Sequence, residues 1–245
     1  MGAGYRFLAK KADDSAEIQI YEDVGAGWFG GVTAKQVADD LKGVGKVGTL
    51  HVRINSYGGD VAEGMAIYRR LAEHSARKVV HVDGIAASIA SVIAMAGDEI
   101  VIGESAQMMI HDAWTIAAGN ADDFTAKATE LRRTSGQIAD VYVARTKNAL
   151  DQVRAWMKET KWFYGQEAVD AGFADSLAAN VGAVASASLW LSHMQGRITT
   201  QLQAQRADAD AVTPHPANDD VRRALGNLTS RFRMRAATQS RGSGS

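Results

Sequence analysis

The stretch 47-VGTLHVRINSYGGDVAEGMAIYRRLAEH-74 changes period at its middle, and that change decides the fold. In its first part Leu50, Val52 and Ile54 alternate with His51 and Arg53, the two-residue repeat of a strand with one buried face. After Gly58 and Gly59 the repeat lengthens, and Val61, Met65, Tyr68 and Leu71 fall on one face of a helix over 60–74. Strand, glycine turn and amphipathic helix form one unit of an α/β chain.

The same logic extends both ways. Upstream, Thr33 and Gln36 form a capping box, Val37 and Leu41 share a helical face, and Gly43 and Gly45 stop that helix. Downstream, 78-KVVHVDG-84 reads as a second strand and GIAASIASVIAMAG as the helix it turns into. The runs 99-EIVIGE-104 and 107-QMMIHDA-113 read as strands, and 122–148 reads as a long helix capped by Asp122 or Asp123. Such alternation with short connections predicts a mainly parallel sheet flanked by helices, with loops gathered at the strand ends.

Bulk composition narrows the function. The chain has 245 residues, 46% of them hydrophobic, enough for one ordinary domain plus an appendage. A formal net charge of −1 argues for neither a nucleic-acid binder nor an acid-rich solvating tail, and no nucleic-acid partner is expected. With no cysteine there are no disulfides, thiolate metal sites or cysteine nucleophiles. No metal or other cofactor is expected. No apolar run suits a signal peptide or a bilayer span, so the chain is expected in the cytoplasm without a membrane partner. The folded body is expected over 1–180, a helical extension over 181–206 and a disordered basic tail over 207–245, whose RGSGS end reads as a cloning scar or flexible linker.

Three features could carry chemistry. The Gly58-Gly59 pair follows a strand and precedes a helix; it reads as a plain turn or as backbone freed to bring N–H groups to a ligand oxygen. Ser88, in 84-GIAASIAS-91, sits between a strand and an apolar helix; it reads as an N-cap or packing residue, or as a nucleophile at a helix N-terminus. His111 interrupts the apolar run 107-QMMIHD-112, where it is either a satisfied core residue or a base. Taken together, the three meet the needs of acyl transfer: nucleophile, base and electrostatic support.

Four motifs in order, INSYGGDVAEGMAIY, VDGIAASIASVIAMAGDEI, MMIH and EAVDAGFAD, resemble the Clp protease proteolytic subunit family (ClpP) over roughly residues 17 to 178. Within it the chain is most similar to the phage and prophage branch, the ClpP-like head maturation proteases. The resemblance implies repeated ββα units as in ClpP and crotonases, with a long handle-like helix, and assembly into a homo-oligomeric ring. Carried over by position, Ser88 is the nucleophile, His111 the general base, and the N–H groups of Gly59 and Ile89 the oxyanion hole, with Gly58 at the substrate-binding edge. Two departures stand out. Tyr57 replaces the proline of the family's Asn-Ser-Pro-Gly-Gly loop. The family's acid falls on Thr160, with Glu159 one residue before it, so the third member is either Thr160 as an orienting hydroxyl or Glu159 through a local shift. Asp112 is a poor substitute, since neighbours on a strand point to opposite faces, and Asp175 matches a structural position.

The implied activity is a serine endopeptidase that works without ATP on capsid or scaffold proteins in the bacterial host cytoplasm or within a phage prohead. Two alternatives remain: a degradative peptidase fed by an ATPase unfoldase, and a catalytically weakened scaffold in which Thr160 marks lost activity. A crotonase-like acyl-CoA enzyme would not need the Ser88 and His111 pair.

Overall fold

The computed structural model describes residues 5–8, 14–26 and 31–178. The extension expected over 181–206 and the tail over 207–245 lie outside the described residues, as do residues 1–4, 9–13 and 27–30.

Eight strands form one mixed sheet: β1 (Tyr5–Leu8), β2 (Ser15–Ile20), β3 (Thr49–Ser56), β4 (Arg77–Ala87), β5 (Glu99–Gly103), β6 (Gln107–Ile110), β7 (Lys161–Tyr164) and β8 (Ser176–Ala178). The order along the sheet is β1-β2-β3-β4-β5-β8, with β6 and β7 branching from β4. Only the β1–β2 and β6–β7 pairs are antiparallel, so the expectation of a mainly parallel sheet holds. Among the described residues six helices accompany the sheet: α1 (Ala34–Val44), α2 (Val61–Ala72), α3 (Ile89–Ala94), α4 (Ala121–Thr146), α5 (Leu150–Glu159) and α6 (Gln166–Asp170).

Alternation sets the two faces. On β2 and β3 the side chains of Ala16, Ile18, Ile20, Leu50, Val52 and Ile54 are buried, in one core with Val37 and Leu41 of α1 and Ile67 and Leu71 of α2. Each large side chain so removed from water contributes about 1.5–3 kcal/mol. The opposite face is polar and half-buried. There His51 Nδ1 lies 3.0 Å from His81 Nε2, and Arg53 donates two hydrogen bonds to the Asp83 carboxylate at 2.9 and 2.7 Å.

Three boundaries differ from the sequence reading, each for a physical reason. The second strand does not stop at Gly84: β4 runs to Ala87 and the helix after it keeps only six residues. The apolar run IAASIASVIA serves both states, because Ile85, Ala86 and Ala87 still have ladder partners. The long helix begins at Ala121 with Asn120, not Asp122 or Asp123, as its cap; the Asn120 side chain accepts from the N–H groups of Asp122 and Asp123, and Asp123 returns the bond to the Asn120 N–H. The strand expected over 107–113 ends at Ile110, which bears on His111 below. Thr33 and Gln36 do form the capping box of α1.

The length of β4 positions the site. Val79 to Val82 pair with β5, and Ile85 to Ala87 pair with β6, so one strand serves two neighbours in succession. Between these halves the β3–β4 register slips: Ile54 faces Val82 but Ser56 faces Ala86. The slip is held by the Asn55 side-chain oxygen, which accepts from the Ile85 N–H at 3.2 Å. A Cβ at Gly84 would come within 2.6 Å of that oxygen, so a side chain there would displace the Asn55 amide from its bond to Ile85.

Candidate active site

Ser88 follows β4 directly and has φ 56 and ψ −130, a conformation costly for a residue with a side chain. Its neighbours hold it there. The Ser88 N–H donates to the Met109 carbonyl at 2.9 Å, an extension of the β4–β6 ladder. Its carbonyl accepts from the Ser91 hydroxyl at 2.6 Å, and the Ser91 oxygen is 2.8 Å from the buried Tyr142 hydroxyl. Ser91 has one proton to give, so Tyr142 donates to it in turn. Burial pushes the Tyr142 phenol up, away from ionisation. Tyr142 is thus a core residue that ties α4 to the turn after Ser88.

The sharp turn aims the Ser88 side chain away from α3. Ser88 makes no side-chain cap bond to that helix; its Oγ lies 2.8 Å from His111 Nε2 instead. His111 lies one residue past the end of β6, so it is positioned by the same β4–β6 pairing that holds the serine. Protein packed around the ring lowers the His111 pKa from 6.5 to about 4, burial being the larger cause and the Asp112 carboxylate opposing it. The imidazole is therefore neutral at pH 7 and able to accept the serine proton. Asp112 needs correcting here: because β6 stops at Ile110, strand alternation no longer separates it from His111, and its charge is felt at the ring.

The glycine pair lies against this serine. Ser56, at the end of β3, donates to the Glu22 carbonyl at 2.6 Å and accepts from the Gly58 N–H at 3.1 Å. Val24 binds the strip from the other side, donating to the Gly58 carbonyl at 2.9 Å and accepting from the Asp60 N–H at 2.8 Å. The Gly59 N–H between them takes no part in these bonds. At Gly58, where φ is 96, an added Cβ would sit 2.8 Å from Ser88 Cβ and 3.1 Å from the Ile89 nitrogen. At Gly59 it would sit 2.1 Å from the Val24 carbonyl oxygen. The fold thus brings the Gly58-Gly59 backbone and the Ile89 N–H to one side of Ser88, where an oxyanion would need its donors.

The acid position is less complete. Thr160 caps α5 with φ 56, in the left-handed region, and its N–H donates to the Met157 carbonyl at 3.1 Å. The β6–β7 ladder ends at the Ile110–Lys161 pair, so His111 and Thr160 each lie one residue beyond the same end of it. Glu159 is exposed on the last turn of α5 and makes no hydrogen bond or ion pair among the described residues. At this end of the ladder Thr160 carries a hydroxyl rather than a carboxylate. Asp175 accepts from the Ile100 N–H at 2.7 Å and pairs with Arg145, binding β8 to β5 and α4. No group of three or more His, Cys, Asp or Glu among the described residues could hold a metal ion.

Sequence reasoning missed several parts of this frame. Val24 is tied to Val32 and Gly59 by single bridges outside the sheet, which leave no periodic trace. Ser56 and Ser91 act through one hydroxyl each. The α5 and β7 segment, which delivers Thr160, shows itself in the spacing of Val153 and Met157, both buried, and β2 shows in the alternation of Ala16, Ile18 and Ile20.

A half-buried serine–histidine pair at the end of a parallel strand, backed by a glycine strip, defines a serine hydrolase arrangement. The Clp protease family profile matches residues 10–181. Similar chains include ATP-dependent Clp protease proteolytic subunit 1 of Leifsonia xyli, 30% identical over 131 residues covering 52% of this chain and 66% of that one. The ATP-dependent Clp protease proteolytic subunit of Mesostigma viride is 26% identical over 177 residues, 71% of each chain, and proteolytic subunit 2 of Nocardia farcinica is 32% identical over 133 residues, 51% of this chain and 63% of that one. The chain spans about two thirds of the length of these curated relatives. It belongs to the Clp protease family, a class of serine peptidases. No described helix is long and apolar enough to cross a membrane.

Proposed function

We propose that the protein is a serine endopeptidase that hydrolyses peptide bonds through an acyl-enzyme. The observation that carries this is the 2.8 Å contact between Ser88 Oγ and His111 Nε2, made by a serine held at φ 56. His111 takes the Ser88 proton as Oγ attacks the scissile carbonyl; the oxyanion is received by the Gly59 and Ile89 N–H groups; His111 then protonates the leaving amine, and water releases the acyl group by the reverse sequence. Thr160 orients the imidazole, and Gly58 leaves room for the substrate backbone to lie along the strip as an added strand.

The finer reading is a head maturation peptidase of phage or prophage type that acts without ATP on capsid or scaffold proteins, as a homo-oligomeric ring in the host cytoplasm or inside a prohead. It is supported by the likeness of WFGGVTAKQVADDL and MMIH to that branch. The relatives' names, ATP-dependent Clp protease proteolytic subunits, favour a second reading in which an ATPase unfoldase supplies the substrate. The scaffold reading rests on Thr160 standing where the family carries an acid.

Labelling with a fluorophosphonate, followed by peptide mapping, tests the chemistry. Label on Ser88 that is lost in Ser88→Ala and His111→Ala is expected; an unlabelled folded, assembled protein would move the conclusion to the scaffold. Cleavage of folded and unfolded protein substrates, with and without an unfoldase and ATP, separates the first two readings.

A further inference from the structure

A cleft of about 380 Å³ opens beside the active site, between the segment that follows His111 and the facing sides of α4 and α5. That lies at the small end of the range for ligand pockets, about 300–1,000 Å³, and suits a side chain with its waters. Its wall begins at Asp112, the residue after His111, whose N–H donates to the Met157 carbonyl at 3.2 Å. Three cations line it, Arg132 from α4 and Arg154 and Lys158 from α5, against the single carboxylate of Asp112. None of the three forms an ion pair among the described residues, although Lys35, Lys42, Arg70, Arg77 and Lys127 elsewhere in the body do. Ser135 also faces the cleft; its oxygen accepts from the Ala113 N–H at 3.0 Å, which leaves its proton to donate.

From this we infer that the cleft selects the substrate: it receives the acidic side chain of a residue flanking the scissile bond, with Arg132, Arg154 and Lys158 on the carboxylate and Asp112 excluding a second acid. The inference rests on the peptidase reading. Three converging cations with one opposing charge favour a single negative group, and guanidinium forks suit a carboxylate. Asp112 serves two ends, closing the cleft and acting on His111, so a carboxylate arriving here lies within electrostatic reach of the base. Leu131 supplies an apolar wall for the methylenes of a glutamate.

The test uses the full-length protein carrying Ser88→Ala, so that binding is read without turnover, and fluorescent peptides identical but for one Glu, Gln or Leu stepped through the positions around the cleavage site. At one position the Glu peptide is expected to bind about ten-fold tighter than its Gln counterpart, the advantage shrinking as salt rises. In the Arg154→Gln/Lys158→Gln double variant the Glu-to-Gln ratio should fall toward one, and Arg132→Lys should retain more of it than Arg132→Gln. Equal binding of Glu and Gln peptides at every position would overturn the inference while leaving the peptidase reading intact. A preference that survives in the double variant would assign acidic recognition to another surface. Absence of both peptide binding and fluorophosphonate label on the unsubstituted protein would overturn both.

Discussion

The neutral, half-buried imidazole of His111 makes the pH response of this protein unusual for a serine peptidase. The His111 pKa is lowered from 6.5 to about 4, by burial first and against the pull of Asp112. A base with that affinity stays unprotonated down to about pH 4, so the acid limb of kcat/KM, which reports the free enzyme, is expected near pH 4 rather than near neutrality. The same shift is a stability term. Above pH 6.5 the histidine is neutral in both folded and unfolded chains and contributes no slope. Between 6.5 and about 4 the unfolded chain binds a proton that the folded one refuses, so stability falls as the pH falls, and below about 4 the loss is complete. At about 1.4 kcal/mol per tenfold change in proton affinity, the total is roughly 3 kcal/mol. Urea unfolding of the wild type and of His111→Gln across pH 4.5–7.5 isolates the term, since every other histidine is common to both proteins. The variant should lose less stability on acidification, and the gap between the two curves should approach that figure. An acid limb at pH 6.5–7, with parallel stability curves, would refute the reasoning: it would mean a carboxylate, Glu159 first among the candidates, stabilises the imidazolium in the working protein.

Other consequences are open to direct measurement. Thr160→Asp should raise kcat by about ten-fold or more and move the acid limb upward, because a carboxylate near His111 stabilises the charge formed on it; the αL backbone also suits Asp better than a β-branched residue. Glu159→Ala should change kcat less than two- to three-fold, about the scatter expected of an exposed side chain without partners. Gly59→Ala should cost a few kcal/mol in chemical denaturation and abolish fluorophosphonate labelling, since its Cβ would lie 2.1 Å from the Val24 carbonyl. Gln107, fully buried with neither side-chain amide atom hydrogen-bonded, is the reverse case: Gln107→Met should raise the urea midpoint by an amount corresponding to about 1–3 kcal/mol.

Which parts of this molecule could be read from its sequence follows from what each part depends on. The β3–α2 unit was legible because its two periods are local and a glycine pair separates them. Ser88, His111 and the glycine strip were legible as candidates because a serine or histidine among apolar residues stands out, and as a set only through the order of four motifs. The run IAASIASVIA was not legible, because alanine and isoleucine satisfy strand and helix alike and the outcome rests on β6, some twenty residues away. The Asn120 cap was missed in favour of its two acidic neighbours, which the same side chain engages. The relation of Asp112 to His111 depended on where β6 stops, and chain ends of strands are set by partners rather than by propensity.

The forked strand has an evolutionary corollary. Ser88 and His111 descend from one pairing, β4 with β6, and neither can move without the other. Thr160 arrives on a separate segment, α5 and β7, joined to that pair along the outer side of β6 and by the Asp112 N–H bond to the Met157 carbonyl. Substitutions in this segment change the partner offered to the imidazole while the nucleophile and base stay in register. A substitution at Thr160 therefore alters the strength and pH range of catalysis without rebuilding its centre.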